Sequence, residues 1–228
     1  PPPLNLRRQR QMCIRDSGNR GENSFIKVSC AAPVKLFVND FDNNGTIEQI
    51  CTRTIEGKDK PIHMKRELTV QLPALLKTNL TFSAYAEKSI YELFPEDKIA
   101  NSIHKEVTTS ESLQAYNEGE NQFRTEALPR EIQFTSINVI ETAHLNDDPY
   151  PDIILGENNH GFKPQFGRLD AGFAHILLGS ENGFLKPERI GSPYRGVVNN
   201  IKLITLNEEQ HFILGVNDEK PKIYKVNR

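Results

Sequence analysis

Short runs of alternating apolar and polar residues dominate the chain, and one central stretch changes that period. Phe25, Val28 and Cys30 are interrupted by Lys27 and Ser29. In "VKLFVNDF" the side chains of Val34, Leu36 and Val38 share one face, the period of two of a half-buried strand. A polar, turn-rich loop follows. "TIEQICTRT" then sets Ile47 and Cys51 apart from Ile50 and reads as a second, β-branched strand.

Residues 61–102 follow a helical period. "FSAYAEKSIYELF" places Phe82, Tyr85, Ala86, Ile90, Leu93 and Phe94 on one stripe, with Glu87, Lys88 and Glu92 pointing away. Thr81 is the expected cap and Pro95 the expected stop. "MKRELTVQL" and "PEDKIANSI" predict two further helices. From residue 103 short strands return. "SLQAYNEGENQFRTEALP" predicts two strands about a turn at Asn117–Asn121. "FTSINVIETAHL", "PDIILGEN", "GFAHILLG", "GFLKPERI", "NNIKLITLN", "QHFILGVN" and "KIYKVN" follow, separated by Gly, Asn, Asp and Pro at roughly ten-residue spacing. The pattern predicts a mainly β chain with a helical insertion around residues 61–102. A sandwich, a barrel and a propeller all fit it.

Composition alters this picture at one end. "RRQRQMCIRDS", residues 7–17, holds Arg7, Arg8, Arg10 and Arg15, with no interleaved aromatic residue to stack bases and no sustained apolar face. The stretch resembles the conceptual translation of a transposase-type sequencing adapter, read continuously from Arg7 into Ser17. Residues 1–17 are therefore set aside as a non-native artefact. The natural N-terminus is expected to be missing, so the absence of a signal peptide carries no information. The formal charge of −2 becomes −5 once the four arginines and Asp16 are removed. That balance gives no basic signature for nucleic acid. No run approaches the ~18 apolar residues of a membrane span. Cys30 and Cys51 remain; they read as two free buried thiols, with a pairing left open, and no Cys/His cluster has zinc spacing.

The candidate chemistry lies in an internal repeat. "VNDFDNNGTIEQI" (38–50) and "AHLNDDPYPDIIL" (143–155) share a frame of apolar strand, alternating Asp/Asn, then an acid opening an Ile-containing strand. In the first copy Asp40, Asp42 and Asn44 stand at positions 1, 3 and 5, Gly45 at 6, Thr46 at 7 and Glu48 at 9. Ca²⁺ takes six to eight oxygens, and alternate side chains on a tightly curled loop converge on one centre. Three carboxylates, the Asn44 oxygen and the Thr46 carbonyl form the expected ligand set. An EF-hand is rejected, because position 12 is Cys51 and the flanks read as strands. A metal-free Asx-rich turn is the competing reading. The second copy is degenerate: His144 replaces the first Asp, Pro149 the turn Gly, and Asn146, Asp148, Tyr150 and Asp152 offer either a weak site or a hydrogen-bonded loop without metal. His144 reads as a turn residue. The sequons at 79–81 and 44–46 carry little weight, the second lying inside the metal loop.

On "DFDNNGTIEQI" and on "GENNHGFKPQFGRLDAGFAHILLGSENGFL" the chain resembles FG-GAP/VCBS-repeat proteins, the integrin-α-like β-propeller repeats. Over most of residues 34–228 it is similar to the C-terminal region of long bacterial VCBS-repeat proteins with an ASPIC/UnbV-type domain, though that domain itself is not evident. The resemblance implies a partial propeller of about two to three blades, with blade strands at 18–60 and 103–228 around the helical insertion. It also implies structural Ca²⁺, an extracellular or cell-surface location, and a protein or glycan ligand on the propeller surface without catalysis. Two alternatives stand beside that reading. A glycan- or lipid-processing enzyme would draw on His160, Lys163, Arg168 and Asp170, but no nucleophile–base spacing is recognisable; Arg168 and Asp170 are expected instead to brace the strands. A structural spacer is the other. A fragment of a propeller is expected to leave open strand edges, to aggregate, or to need its missing blades.

Overall fold

The computed structural model describes residues 14–120, 122–190 and 195–226, the first four by their backbone. Arg7, Arg8 and Arg10 of the basic stretch and Asn121 of the expected turn lie outside them. The chain is mainly β, with several antiparallel sheets and no closed barrel. It divides into two compact units, Ile26–Ser110 and the remainder.

The chain enters through β1 (Ile14–Ser17). The unit Ile26–Ser110 is then built on β2 (Val34–Asn39), β3 (Glu48–Ile55), β4 (Lys58–Pro61) and β5 (Ile103–Val107), in the order β4-β3-β2-β5. Five short helices connect β4 to β5: α1 (Lys65–Gln71), α2 (Leu75–Thr78), α3 (Phe82–Ala86), α4 (Ile90–Leu93) and α5 (Glu96–Ala100). Their Leu68, Leu72, Leu75, Tyr85, Ile90 and Phe94 pack on Phe37, Phe41 and Ile50 in one buried cluster. The helical stretch thus covers one face of the sheet whose strands bracket it.

Two details differ from the sequence pattern. The buried face of β2 carries Phe37, paired with Ile50; Val34, Leu36 and Val38 lie on the opposite face and are only half-buried. A single bulky ring against the helices decided the orientation over three aliphatic residues. The continuous stripe of residues 82–94 is also two helices. Ser89 restarts the chain: Glu92 Oε2 accepts from both the Ser89 N–H and its hydroxyl at 2.8 Å. An N–H so engaged cannot continue the preceding helix. Phe82 consequently falls off the stripe and is 70% exposed. Thr81 does cap α3, accepting from the Ala84 N–H at 3.1 Å.

In the other unit, β6 (Leu113–Gly119) and β7 (Gln122–Ala127) form a hairpin with β1 on the outer side of β6. β8 (Ile137–Ala143), β9 (Asp152–Glu157), β10 (His175–Leu177) and β13 (Glu188–Arg189) make a four-stranded antiparallel meander, with the small hairpin β11 (Gly179–Ser180) and β12 (Gly183–Phe184) inserted before β13. β14 (Val198–Leu206), β15 (Glu209–Val216) and β16 (Lys222–Lys225) form a three-stranded meander. Every residue of β9 is buried. Ile154 joins Val198, Ile201, Phe212 and Leu214 in one cluster, while Ile153 and Leu155 join Leu128, Ile132, Ile137 and Leu177 in another. Gly156 permits this close approach: a Cβ there would lie 2.4 Å from Val139 Cγ1 and 2.8 Å from Val198 Cγ1.

Candidate functional site

The first repeat loop is the tip of the β2–β3 hairpin. Asn39 pairs with Glu48, so both ends of the loop are fixed by the sheet. Between them the chain curls through Asn43 at φ 60° and Gly45 at φ 84°, the left-handed region that glycine adopts without strain. The Phe41 N–H donates to Glu48 Oε2 at 3.0 Å, and Phe41 is buried in the core. Asp40 caps the curl: its Oδ1 accepts from the Asn44 N–H at 3.1 Å and its Oδ2 from the Gly45 N–H at 2.9 Å. These amides, Gly45 first, hold the Asp40 carboxyl below the usual carboxylate range.

The outcome is a cluster. Carboxylate oxygens of Asp40, Asp42 and Glu48 all lie within 4.8 Å of one another. Three negative charges at that separation repel unless a cation sits among them. An all-oxygen donor set on a tightly turned loop is the chemistry of a hard divalent cation. Asn44 points its Oδ1 at the Thr46 N–H, 2.6 Å away, so the Asx turn and the carboxylate cluster coexist in one loop. Lys98 was not visible as part of this site in the sequence. From α5, its ammonium donates to the Asp40 carbonyl at 2.6 Å and also reaches Asn43 Oδ1. It braces the loop from 58 residues away in sequence.

The second loop tips the β8–β9 hairpin in the same register, Ala143 opposite Asp152. The Leu145 N–H donates to Asp152 Oδ2 at 2.7 Å, the same seven-residue link as Phe41 to Glu48, and Leu145 is buried like Phe41. The rest differs. Asp152 Oδ1 accepts from the Gly179 N–H at 2.8 Å. Asn146 donates to Asp148 Oδ2 at 2.7 Å, and Asp148 Oδ1 accepts from the Tyr150 N–H at 2.9 Å. Within the degenerate set, Asn146, Asp148 and Asp152 thus commit their side-chain oxygens to N–H donors of the loop and of Gly179. His144 is exposed at the turn.

Among the described residues no contact joins His160, Arg168 and Asp170 to one another. Arg168 and Asp170 are exposed and, among the described residues, their side chains make neither an ion pair nor a hydrogen bond, which corrects their expected bracing role. His160 is half-buried, its Nε2 without a hydrogen-bond partner. The bracing falls to residues the spacing did not single out. Asn158, at φ 75°, links Thr135 Oγ1 and the Gly172 N–H through its Oδ1 and donates to the Gly172 and Gly196 carbonyls. Glu157 is fully buried, its Oε2 2.8 Å from His175 Nδ1. Cys30 and Cys51 are free, but neither is buried as expected: Cys30 is exposed and Cys51 half-buried.

Comparison with protein-family models, curated proteins and solved structures gives no match for this chain. No helix among the described residues is long and apolar enough to cross a membrane.

Proposed function

We propose that the chain is part of an extracellular or cell-surface β-propeller that binds a protein or glycan ligand, with one hairpin loop clamped by Ca²⁺. The observation that carries the calcium reading is the convergence of Asp40, Asp42 and Glu48. The propeller reading draws support from two hairpins that repeat one loop frame and from the antiparallel meander β8-β9-β10-β13. Asp40, Asp42 and Glu48 would hold the ion, with Asn44 and the Thr46 carbonyl completing its oxygen shell. The ion would supply charge neutralisation and a fixed loop tip, and the reading assigns no catalytic step.

Melting of the full chain with and without calcium tests it. Extracellular Ca²⁺ modules bind with Kd roughly 10⁻⁴–10⁻³ M. At ten times such a Kd the gain is about 1.4 kcal/mol, or about 3–6 °C for a chain of this size. Asp42→Ala should erase the rise, because Asp42 is exposed and has no role in the fold besides the cluster. Asp148→Ala should leave the rise intact. A melting temperature indifferent to calcium would remove the metal from this reading.

A further inference from the structure

A second candidate site lies in the unit that carries the meander. Phe173 is half-buried before β10, its N–H donating to Glu157 Oε2 at 3.2 Å and its ring edge-on to His175 at 6.2 Å. Two guanidiniums gather on this one ring, Arg189 at 4.0 Å from its centroid and Arg195 at 5.2 Å. Arg189 is fixed in β13, opposite His175 of β10. Both arginines are exposed, and neither has a carboxylate partner among the described residues. Glu157 does not serve them: its Oε2 is taken by His175 and the Phe173 amide, and its Oε1 is buried without a hydrogen bond.

The contrast with Arg124 is instructive. It also lies over a ring, Tyr116 at 4.2 Å, but its N–H donors go to Glu118 and Glu126. Stacking uses the face of a guanidinium and leaves its edge donors available. In Arg189 and Arg195 those donors are unspent, and two like charges held on one ring repel until an anion arrives. The fork of N–H groups matches a carboxylate bidentately. β13 is also the outermost strand of its sheet among the described residues, so an extended backbone can line its edge.

We infer that Phe173, Arg189 and Arg195 form a binding site for the carboxylates of an acidic peptide segment. The inference deepens the binding reading above and names the ligand chemistry. It does not involve the acidic loop, which belongs to the other unit, so it is measured without calcium and fails or stands apart from the metal.

The test is fluorescence anisotropy of a labelled hexaglutamate peptide titrated with the full chain at low salt. Saturable binding that weakens with added salt is expected. Arg189→Gln and Arg195→Gln should each weaken it by about tenfold or more, the scale of one charge-assisted hydrogen-bonding group. Arg189→Lys, which keeps the charge and loses the fork, should also weaken it and reads the site even where a glutamine variant misfolds. Arg124→Gln should bind as the parent does. Absence of binding by the parent, unchanged binding by a folded Arg189→Gln/Arg195→Gln double variant, or equal binding by Arg189→Lys would overturn the site. Binding of oligogalacturonate in place of the peptide would overturn the assignment to a polypeptide.

Discussion

Asp152 and Asp42 sit in loops of the same frame and should respond differently to loss of charge. Asp152 is fully buried and accepts from the Leu145 and Gly179 N–H groups with one oxygen each. In Asp152→Asn the new NH₂ faces a backbone donor, leaving one buried N–H unsatisfied. That should cost about 1–3 kcal/mol, read from the urea midpoint with or without calcium. Asp42→Asn, on an exposed position, should leave stability near that of the parent when calcium is absent. The difference shows how much of the site was legible. The alternation of Asp and Asn exposed the loop and the cluster, because spacing along one tight turn determines convergence. It did not reveal Lys98, Asn158 or the pair on Phe173, whose partners come from distant strands and helices and leave no local period.

At the scale of an element, Ser89 and Glu92 decide where the helical stretch breaks. The Glu92 carboxyl is pulled down to about 2, first by the Ser89 N–H, then by the Ser89 hydroxyl and Lys58. Its folded value lies below its unfolded one, so the contribution is present above the ordinary 4.5 and is lost as pH falls toward about 2. Glu92→Gln should therefore flatten the acid dependence of melting across that window, measured by circular dichroism at successive pH values. An unchanged acid profile would deny the cap this role. The hydrophobic stripe from Phe82 to Phe94 predicts one helix because periodicity records which residues face inward, and Tyr85, Ile90 and Phe94 do. It does not record phase. The cap at Ser89 resets the phase, and Phe82 is left outside.

Across the whole molecule, the mainly β character and most of the strands were legible from alternation and turn residues, but β4 was not singled out and the run "GFLKPERI" is divided between β12 and β13, which pair with different neighbours. The grouping of strands into sheets was not legible, because pairing is set by contacts distant in sequence. The divisions drawn near residues 60 and 103 fall inside the compact unit Ile26–Ser110, where β4 and β5 belong to one sheet and the helices cover it. That unit owns a complete cluster, from Phe37 to Phe94. Residues 26–110 expressed alone should melt cooperatively, with sharp side-chain signals in a proton NMR spectrum. A gradual, non-cooperative melt would show that its core depends on the rest of the chain.

The seven-residue link from a buried apolar position to the closing acid recurs in both hairpins, through Glu48 in one and Asp152 in the other. It works as a latch that needs no ion. A hairpin fastened this way keeps its register while the residues at its tip change, so the pairing of the strands behind it does not depend on whether the tip holds a metal. Two copies in one chain, one with converging carboxylates and one closed by amides, are two settings of the same fastening.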